Sequence, residues 1–347
     1  MKKFFSFLLF LCGLSIIQFA TAYTRNSHAA NPKALELVVV SPPNPNVFPV
    51  FLMLKDNPEL NIRLVAVPGG KDVVPYFQNG TADITTIYSY IMADHVIKRD
   101  IPDLQLRTIT LWNDFYIVSS PNVNSLDQLV GKTILVTGPS GTGKNGAPDK
   151  ILQAAILRTG HLLSDFNIQY KEIDNAMADV ISGKANAILL AEPAATGFVM
   201  KARMNSVSLK KAVNLQNAFS GYRSWANGQL PLGGVATLKK YESKAKAEAV
   251  EAFVKAYKQA AQKIMDHKLL SAKYISNGLS RYYKRSMPTI MVLKSLNDGT
   301  LLFSDKKRIA EIKPELKDFI KELLGKTPND DFFQDDSPIS KNQSKNY

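Results

Sequence analysis

The chain has 347 residues, of which 45% are hydrophobic and 21% are charged; this is the composition of a globular protein of about two domains. The formal net charge of +13 would suit an anionic partner. However, the basic residues are scattered and form no stripe interleaved with aromatic residues, so the composition does not favour a nucleic-acid-binding protein.

The N-terminus has the layout of a secretory signal peptide. Lys2 and Lys3 precede an apolar run over residues 4–20, and small residues stand at positions 20 and 22. We therefore expect residues 1–22 to be a signal peptide cleaved after Ala22, with export to the periplasm. Cleavage would remove both lysines and lower the net charge from +13 to +11. The alternative is an uncleaved membrane anchor.

The first part of the chain alternates strands and helices. Predicted strands at Leu35–Ser41, Ile62–Val67 and Ala82–Ile87 are each followed by a helical segment. Such alternation indicates a mainly parallel sheet flanked by helices. Two further strands are expected at Leu106–Leu111 and Phe115–Ser119.

The alternation then starts again over residues 125–204. Predicted strands at Lys132–Thr137, Ile168–Ile173 and Ala187–Leu190 enclose a helix at Pro148–Thr159. This second α/β unit lies inside the sequence of the first. We therefore expect a discontinuous lobe one, residues 31–116 and 220–326, and a lobe two, residues 117–219.

The last part of the chain is predicted to be helical. Val250, Phe253 and Tyr257 are spaced by three and four residues, as on one face of an amphipathic helix. From residue 327 to residue 347 the sequence is polar, and we expect a disordered tail there.

A glycine-rich loop follows the strand at Lys132–Thr137. Residues 138–144 fit the pattern G-x-x-x-x-G-K, but Asn145 stands where a nucleotide-binding P-loop has Ser or Thr, and Pro148 delays the start of the helix. The loop therefore does not predict an ATPase. Backbone N–H groups before a helix suit a carboxylate, sulfonate or phosphate, and a plain glycine-rich turn is the alternative. The candidate ligand residues here are Ser140, Gly141, Thr142 and Gly143.

Further candidates follow the C-terminal ends of strands, where open α/β sheets bind ligands. They are Asn44, Asn46, Tyr88, Ser89, Trp112, Asn113 and Glu192. Each also has an ordinary structural interpretation as a turn asparagine, a core aromatic residue or a glutamate at a helix start. The four histidines lack ligand-like spacing and the common hydrolase motifs are missing, so we predict no catalytic residue, no metal and no cofactor.

Three segments carry a resemblance to a known family. Residues 125–134 resemble the SL-x-DL-x-GK entry to the second lobe of type 2 periplasmic binding proteins, and residues 79–84 are similar to the NG-x-x-D motif of the same group. Residues 183–187 followed by Glu192-Pro193 are similar to its G-x-x-DA…EP segment, with Asn186 in place of the aspartate. Within the group, the sequence is most similar to the nitrate/sulfonate/taurine and thiamine-precursor branch.

The resemblance implies an α/β fold of two lobes, each a mainly parallel sheet flanked by helices, with a ligand cleft between them. It also implies a monomer that delivers its ligand to an ABC-type permease. An enzyme on the same fold and a sensor or scaffold protein are the alternatives. The ligand is expected to be a small organic anion, with a heteroaromatic compound bound by Trp112, Tyr88 and Glu192 as the second possibility.

Overall fold

The computed structural model describes residues 35–138, 143–226 and 228–334. The predicted signal peptide lies outside the described residues, as do Ser140, Gly141 and Thr142 of the glycine-rich loop. The chain from Leu35 onwards forms one compact unit. Within the described residues, no helix combines the length and the apolar character needed to cross a bilayer.

The first sheet has six strands: β1 Leu37–Ser41, β2 Ile62–Ala66, β3 Ile84–Thr85, β4 Leu104–Asn113, β10 Gly233–Leu238 and β11 Leu302–Phe303. Their order across the sheet is β11-β4-β10-β3-β1-β2. Strand β1 has the sequence LVVVS and is buried along its whole length, as expected for a β-branched strand covered on both faces. It pairs in parallel with β2 and β3, whereas β10 pairs antiparallel with β3 and β4, and β11 pairs antiparallel with β4.

The second sheet has five strands: β5 Phe115–Ser119, β6 Thr133–Thr137, β7 Asn167–Lys171, β8 Ala187–Ala191 and β9 Lys210–Asn214. Their order across the sheet is β7-β6-β8-β5-β9. Strand β6 pairs in parallel with β7 and β8, and β5 pairs antiparallel with β8 and β9.

Ten α-helices are found among the described residues, and they cover both sheets. They are α1 Phe48–Asp56, α2 Val74–Gln78, α3 Ser89–Ile97, α4 Ala147–Arg158, α5 Ile173–Ile181, α6 Ala194–Met204, α7 Lys244–Asp266, α8 Lys268–Tyr283, α9 Thr289–Asn297 and α10 Ile309–Leu324. The predicted amphipathic face of α7 is confirmed, because Val250, Phe253 and Tyr257 are fully buried.

The predicted α/β class is confirmed, but both sheets are mixed where mainly parallel sheets were expected. The difference arises because the strands nearest the two crossings between the sheets, β4, β5, β9 and β10, run against their neighbours. Sequence reasoning missed β9, β10 and β11. Lys210–Asn214 is half-buried and polar, Gly233–Leu238 begins with two glycines, and Leu302–Phe303 is too short to form a pattern.

The chain after α10 also departs from expectation. Phe332 and Phe333 are buried, and Phe333 bridges to Leu106 of β4. Residues 327–334 are therefore part of the folded unit, and the prediction of a disordered tail from residue 327 is wrong for them. The prediction failed because it was based on the polar composition of the whole segment, whereas these two adjacent phenylalanines alone provide the apolar contact with the folded unit. Residues 335–347 lie outside the described residues.

Candidate functional site

The two sheets are joined by a very short crossing. Strand β4 ends at Asn113 and β5 begins at Phe115, so Asp114 alone lies between a strand of the first sheet and a strand of the second. The later crossing, after β9, is tied to this point by Gln216, whose Nε2 donates to Asn113 Oδ1 at 2.8 Å. The backbone N–H of Phe115 in turn donates to Gln216 Oε1 at 2.9 Å. The amide of Gln216 thus holds the two crossing segments side by side.

Asp114 is the centre of a buried polar group that includes both sheets. Its Oδ2 accepts a hydrogen bond from the hydroxyl of Tyr88, which follows β3, at 2.6 Å. Its Oδ1 accepts from the backbone N–H of Glu192, which follows β8, at 2.9 Å. Burial raises the pKa of the Asp114 carboxyl to about 8, although these two hydrogen bonds act in the opposite direction. Three polar positions that are distant in sequence therefore meet at the junction of the two sheets.

The side chain of Glu192 is held by the protein itself. Its Oε1 accepts from Lys211 Nζ at 2.8 Å and from the hydroxyl of Thr196 at 2.9 Å, and its Oε2 accepts from the backbone N–H of Thr196 at 3.0 Å. Lys211 also donates to the hydroxyl of Thr300 at 2.8 Å. The negative charge of Glu192 is thus neutralised by Lys211, and both of its oxygens are occupied.

The asparagines after β1 form a second polar group at the end of the first sheet. Asn44 Oδ1 accepts from both the backbone N–H and the side chain of Asn46, each at 2.8 Å. Asn44 Nδ2 donates to the backbone carbonyl of Thr86, after β3, at 3.3 Å. Asn46 is fully buried against Gly233, and its Oδ1 has no hydrogen-bond partner among the described residues. Asn44 is the more exposed of the two, and its side chain fixes the turn after β1 through its hydrogen bonds with Asn46.

Two predicted site residues are enclosed by the core. Ser89 is fully buried, and its hydroxyl donates to the carbonyl of Pro231 at 2.6 Å. Trp112 is 2% exposed, and its Nε1 donates to the carbonyl of Ser304 at 2.9 Å. Both side-chain donors are satisfied by backbone carbonyls, and a ligand role for either residue stays a prediction.

The described end of the glycine-rich loop is fixed by contacts on both sides. Gly143 lies against the end of β6, where a Cβ atom would approach the carbonyl oxygen of Val136 to 3.0 Å. The backbone N–H of Asn145 donates to Asp149 Oδ2 at 2.7 Å, and the hydroxyl of Tyr90 in α3 donates to the carbonyl of Ala147 at 2.9 Å. The start of α4 is therefore attached both to its own helix and to a helix that packs on the first sheet.

Asp149 is the anchor of this loop and was not predicted. It is fully buried and accepts hydrogen bonds from Gln153 Nε2 at 2.8 Å and from the hydroxyl of Tyr170 at 3.1 Å. Burial and the nearby carboxylate raise the pKa of Tyr170 to about 12, so its phenol remains a donor. The local signal was available, because an aspartate in the first turn of a helix commonly accepts from free backbone N–H groups.

The structure thus brings Tyr88, Asn113 and Glu192 together around Asp114, and it places Asn44 and Asn46 at the neighbouring strand end. Sequence reasoning missed Asp114, Lys211 and Gln216. Among the described ranges, no group of three or more His, Cys, Asp or Glu side chains could hold a metal ion.

No protein-family model matches the sequence, and no curated protein matches it by sequence. Solved structures do match. A protein from Parabacteroides distasonis described as an ABC transporter is 16% identical, with a TM-score of 0.63 over 86% of this chain and 98% of that one. The alkanesulfonate-binding protein SsuA from Xanthomonas axonopodis, bound to MOPS, is 14% identical, with a TM-score of 0.57 over 84% and 96% of the two chains.

A third match comes from Candida albicans. Its CA3427 gene product is described as exhibiting the generic periplasmic binding protein structural fold; it is 17% identical, with a TM-score of 0.57 over 86% of this chain and 93% of that one. The match extends over almost the whole of each of these chains. The protein described here therefore has the periplasmic-binding-protein fold.

Proposed function

We propose that the protein is the extracytoplasmic solute-binding component of an ABC-type importer, and that it holds a small ligand between lobe one, residues 31–116 and 220–326, and lobe two, residues 117–219. The observation that carries the proposal is the junction at Asp114, where two sheets of a periplasmic-binding-protein fold are joined by a crossing of one residue. So short a connection allows a hinge movement with few changes in backbone torsion angles. Ligand contacts with both lobes would then favour a closed state.

We further propose that the ligand is a small organic anion. A free Glu192 carboxylate would repel such a ligand, but the ion pair with Lys211 removes this objection. Trp112, which would stack on a heteroaromatic ligand, is 2% exposed and its indole N–H is already bonded. The alkanesulfonate-binding neighbour and the net charge of +11 on residues 23–347 (+13 less Lys2 and Lys3) agree with an anion.

The proposed ligand contacts come from both lobes. The glycine-rich loop before α4 would supply backbone N–H groups, since Asp149 and Tyr90 hold its described end in place. Asn44 would contribute from the end of β1, where it is not fully buried. Of the residues marked by the sequence, Asn44, Ser140, Gly141, Thr142 and Gly143 are proposed to contact the ligand. The others, Asn46, Tyr88, Ser89, Trp112, Asn113 and Glu192, are proposed to shape the site around it.

We also propose export to the periplasm with cleavage after Ala22, a monomeric state, a membrane permease as partner, and no catalytic activity. The signal-like pattern of residues 1–22 supports export. Among the solved neighbours, the proteins from Xanthomonas axonopodis and Escherichia coli are described as sulfonate-binding, and the latter also as periplasmic.

Thermal unfolding of residues 23–347 with a panel of ligands tests the proposal. A ligand at about 100 times its dissociation constant stabilises the folded state by about 2.7 kcal/mol. For an unfolding entropy of about 0.7 kcal/mol/K in a chain of this size, the melting temperature would rise by about 4 °C. The panel contains alkylsulfonates, nitrate, carboxylates, pyrimidines and flavins.

A shift with sulfonates or carboxylates alone is the expected result. A shift with pyrimidines or flavins alone would refute the anionic ligand but keep the binding function. No shift with any compound would contradict the proposal of a solute-binding protein for these ligand classes.

A further inference from the structure

The segment that contains α8 has an unusual charge distribution. The chain has 30 acidic residues in 347, about one in twelve. No acidic residue occurs from His267 to Asn297, although these 31 positions are longer than two such intervals. The basic residues of the segment are Lys268, Lys273, Arg281, Lys284, Arg285 and Lys294.

Helix α8 exposes one face of this segment to solvent. Its buried face packs against α1, α7 and α9 through small and aliphatic residues such as Ala272, Ile275 and Gly278. The opposite side carries Leu269, Leu270, Lys273 and Arg281, and Lys284 directly follows the helix; all five are exposed, and together they are called here the α8 face. At a rise of about 1.5 Å per residue the α8 face is about 22 Å long.

The α8 face combines exposed aliphatic side chains with cations. Leu269 is 55% exposed and Leu270 is 44% exposed, and they are adjacent at the N-terminal end of the helix. At a membrane surface, leucine side chains can insert among the acyl chains while cations contact the headgroups.

The cations of the α8 face have no carboxylate within ion-pair distance among the described residues. Lys284 Nζ donates instead to the carbonyl of Arg281 at 3.0 Å, and the Arg281 guanidinium lies 5.3 Å from the centre of the Tyr282 ring. On the neighbouring helix the situation differs, since Lys246 pairs with Asp83 and Lys263 pairs with Asp56 at 2.8 and 2.7 Å. Arg285 is left out of the α8 face, because Glu172 and Asp174 act on its charge.

We propose that the α8 face docks on the surface of an anionic lipid bilayer. The unpaired cations provide charge complementarity to anionic headgroups, each adding to the attraction. The two leucines provide apolar contact that an exposed ion-pair surface on a protein partner would not require. Docking in this way is independent of the proposed ligand site, since neither leucine nor any of the three cations belongs to it.

Co-sedimentation with lipid vesicles tests the proposal. Residues 23–347 are used, because the compact unit begins at Leu35 and the apolar residues 4–20 would bind lipid by themselves. Vesicles of phosphatidylcholine alone are compared with vesicles that contain about 30% phosphatidylglycerol, at about 0.05 M and about 0.5 M salt. Binding is expected to the anionic vesicles alone, and to be lost at the higher salt concentration.

Matched variants locate the docking surface. The triple variant Lys273→Gln, Arg281→Gln and Lys284→Gln is expected to bind at least tenfold more weakly, and Leu269→Ser with Leu270→Ser at least about threefold more weakly. The control triple variant removes the same charge from exposed lysines elsewhere: Lys132→Gln, Lys184→Gln and Lys201→Gln. It should bind within about twofold of the unchanged protein.

Equal loss of binding in the two triple variants would overturn the proposal, because attraction would then depend on net charge and not on the α8 face. Absence of binding to anionic vesicles would overturn it as well. Binding to soluble polyglutamate but not to vesicles would point to an acidic protein partner instead. Thermal unfolding of each variant confirms that any loss of binding occurs in folded protein.

Discussion

Replacement of Asp114 by Asn should make the free energy of unfolding depend less on pH. The carboxyl is fully buried, and burial raises its pKa from 3.8 to about 8. A group whose pKa is raised on folding stabilises the folded state fully below the unfolded pKa, and this contribution is lost as the pH rises through the folded value. Between pH 5 and pH 7 the loss is about 1.4 kcal/mol per pH unit, or about 2.7 kcal/mol in total.

An asparagine is well suited to this comparison. Like the protonated acid, its side chain has one oxygen that can accept from the N–H of Glu192 and one donor that can bond to the oxygen of Tyr88. In both cases the hydroxyl of Tyr88 accepts a hydrogen bond from position 114, whereas it donates to the ionised carboxylate. We therefore expect Asp114→Asn to keep the junction intact and to remove the pH-dependent contribution. Denaturant unfolding at intervals from pH 5 to pH 8 measures the difference between the two proteins.

The matched control is Asp318→Asn, which makes the same change on the exposed side of α10. Its stability profile should run parallel to that of the unchanged protein. If the profile of Asp114→Asn were also parallel to that of the unchanged protein, the carboxyl would not be the buried acid described here. A variant that is less stable at every pH would show instead that the ionised form is required at the junction.

Three other substitutions test the packing and the ion pair. Lys211→Met should lower the free energy of unfolding by about 3–5 kcal/mol, because Glu192 would remain buried without its cation. Denaturant unfolding measures this loss, and the double variant Lys211→Met with Glu192→Gln should recover much of it. Gly278→Ala should cost roughly 1–3 kcal/mol, since its Cβ would come within 2.3 Å of the Phe51 ring, and a melting temperature equal to that of the unchanged protein would contradict this contact. Gly143→Ala should weaken binding of the anionic ligand about tenfold with little change in melting temperature, because the loop must move away from β6; unchanged affinity in calorimetry would separate this loop from the site.

Sequence patterns predicted those parts of the fold that depend on local burial. The run Val38–Val40 marked β1, and the helix predicted at Pro148–Thr159 was found as α4 at Ala147–Arg158. Local patterns failed where an element is defined by its neighbours. Strand β9 is half-buried along its length and β11 has two residues, so each exists only because β5 or β4 offers free backbone groups.

In the candidate site, too, local sequence patterns predicted some residues and missed those that are defined by distant contacts. The C-terminal ends of strands marked Tyr88, Asn113 and Glu192. The structure bonds Tyr88 and Glu192 to one carboxyl, that of Asp114, and bonds the neighbouring Asn113 to Gln216. The carboxyl itself was not predicted, because an aspartate between two strands is an ordinary turn residue. Its partners lie 26 residues before it and 78 residues after it, and no local pattern connects positions so far apart.

The polar side chains at the strand ends are therefore already hydrogen-bonded to other residues of the junction. Tyr88 is bonded to Asp114, Glu192 is bonded to Lys211, and Asn113 is bonded to Gln216. Because a buried group cannot exchange its partner for a ligand without leaving that partner unsatisfied, these residues are better suited to fix the geometry of the hinge than to bind a solute. Affinity for an anion would then depend mainly on the proposed backbone N–H groups of the glycine-rich loop. The described chain next to this loop is bonded to Asp149 through Asn145 and to Tyr90 through Ala147. In that arrangement, a substitution at the junction changes closure, whereas a substitution in the loop changes ligand affinity.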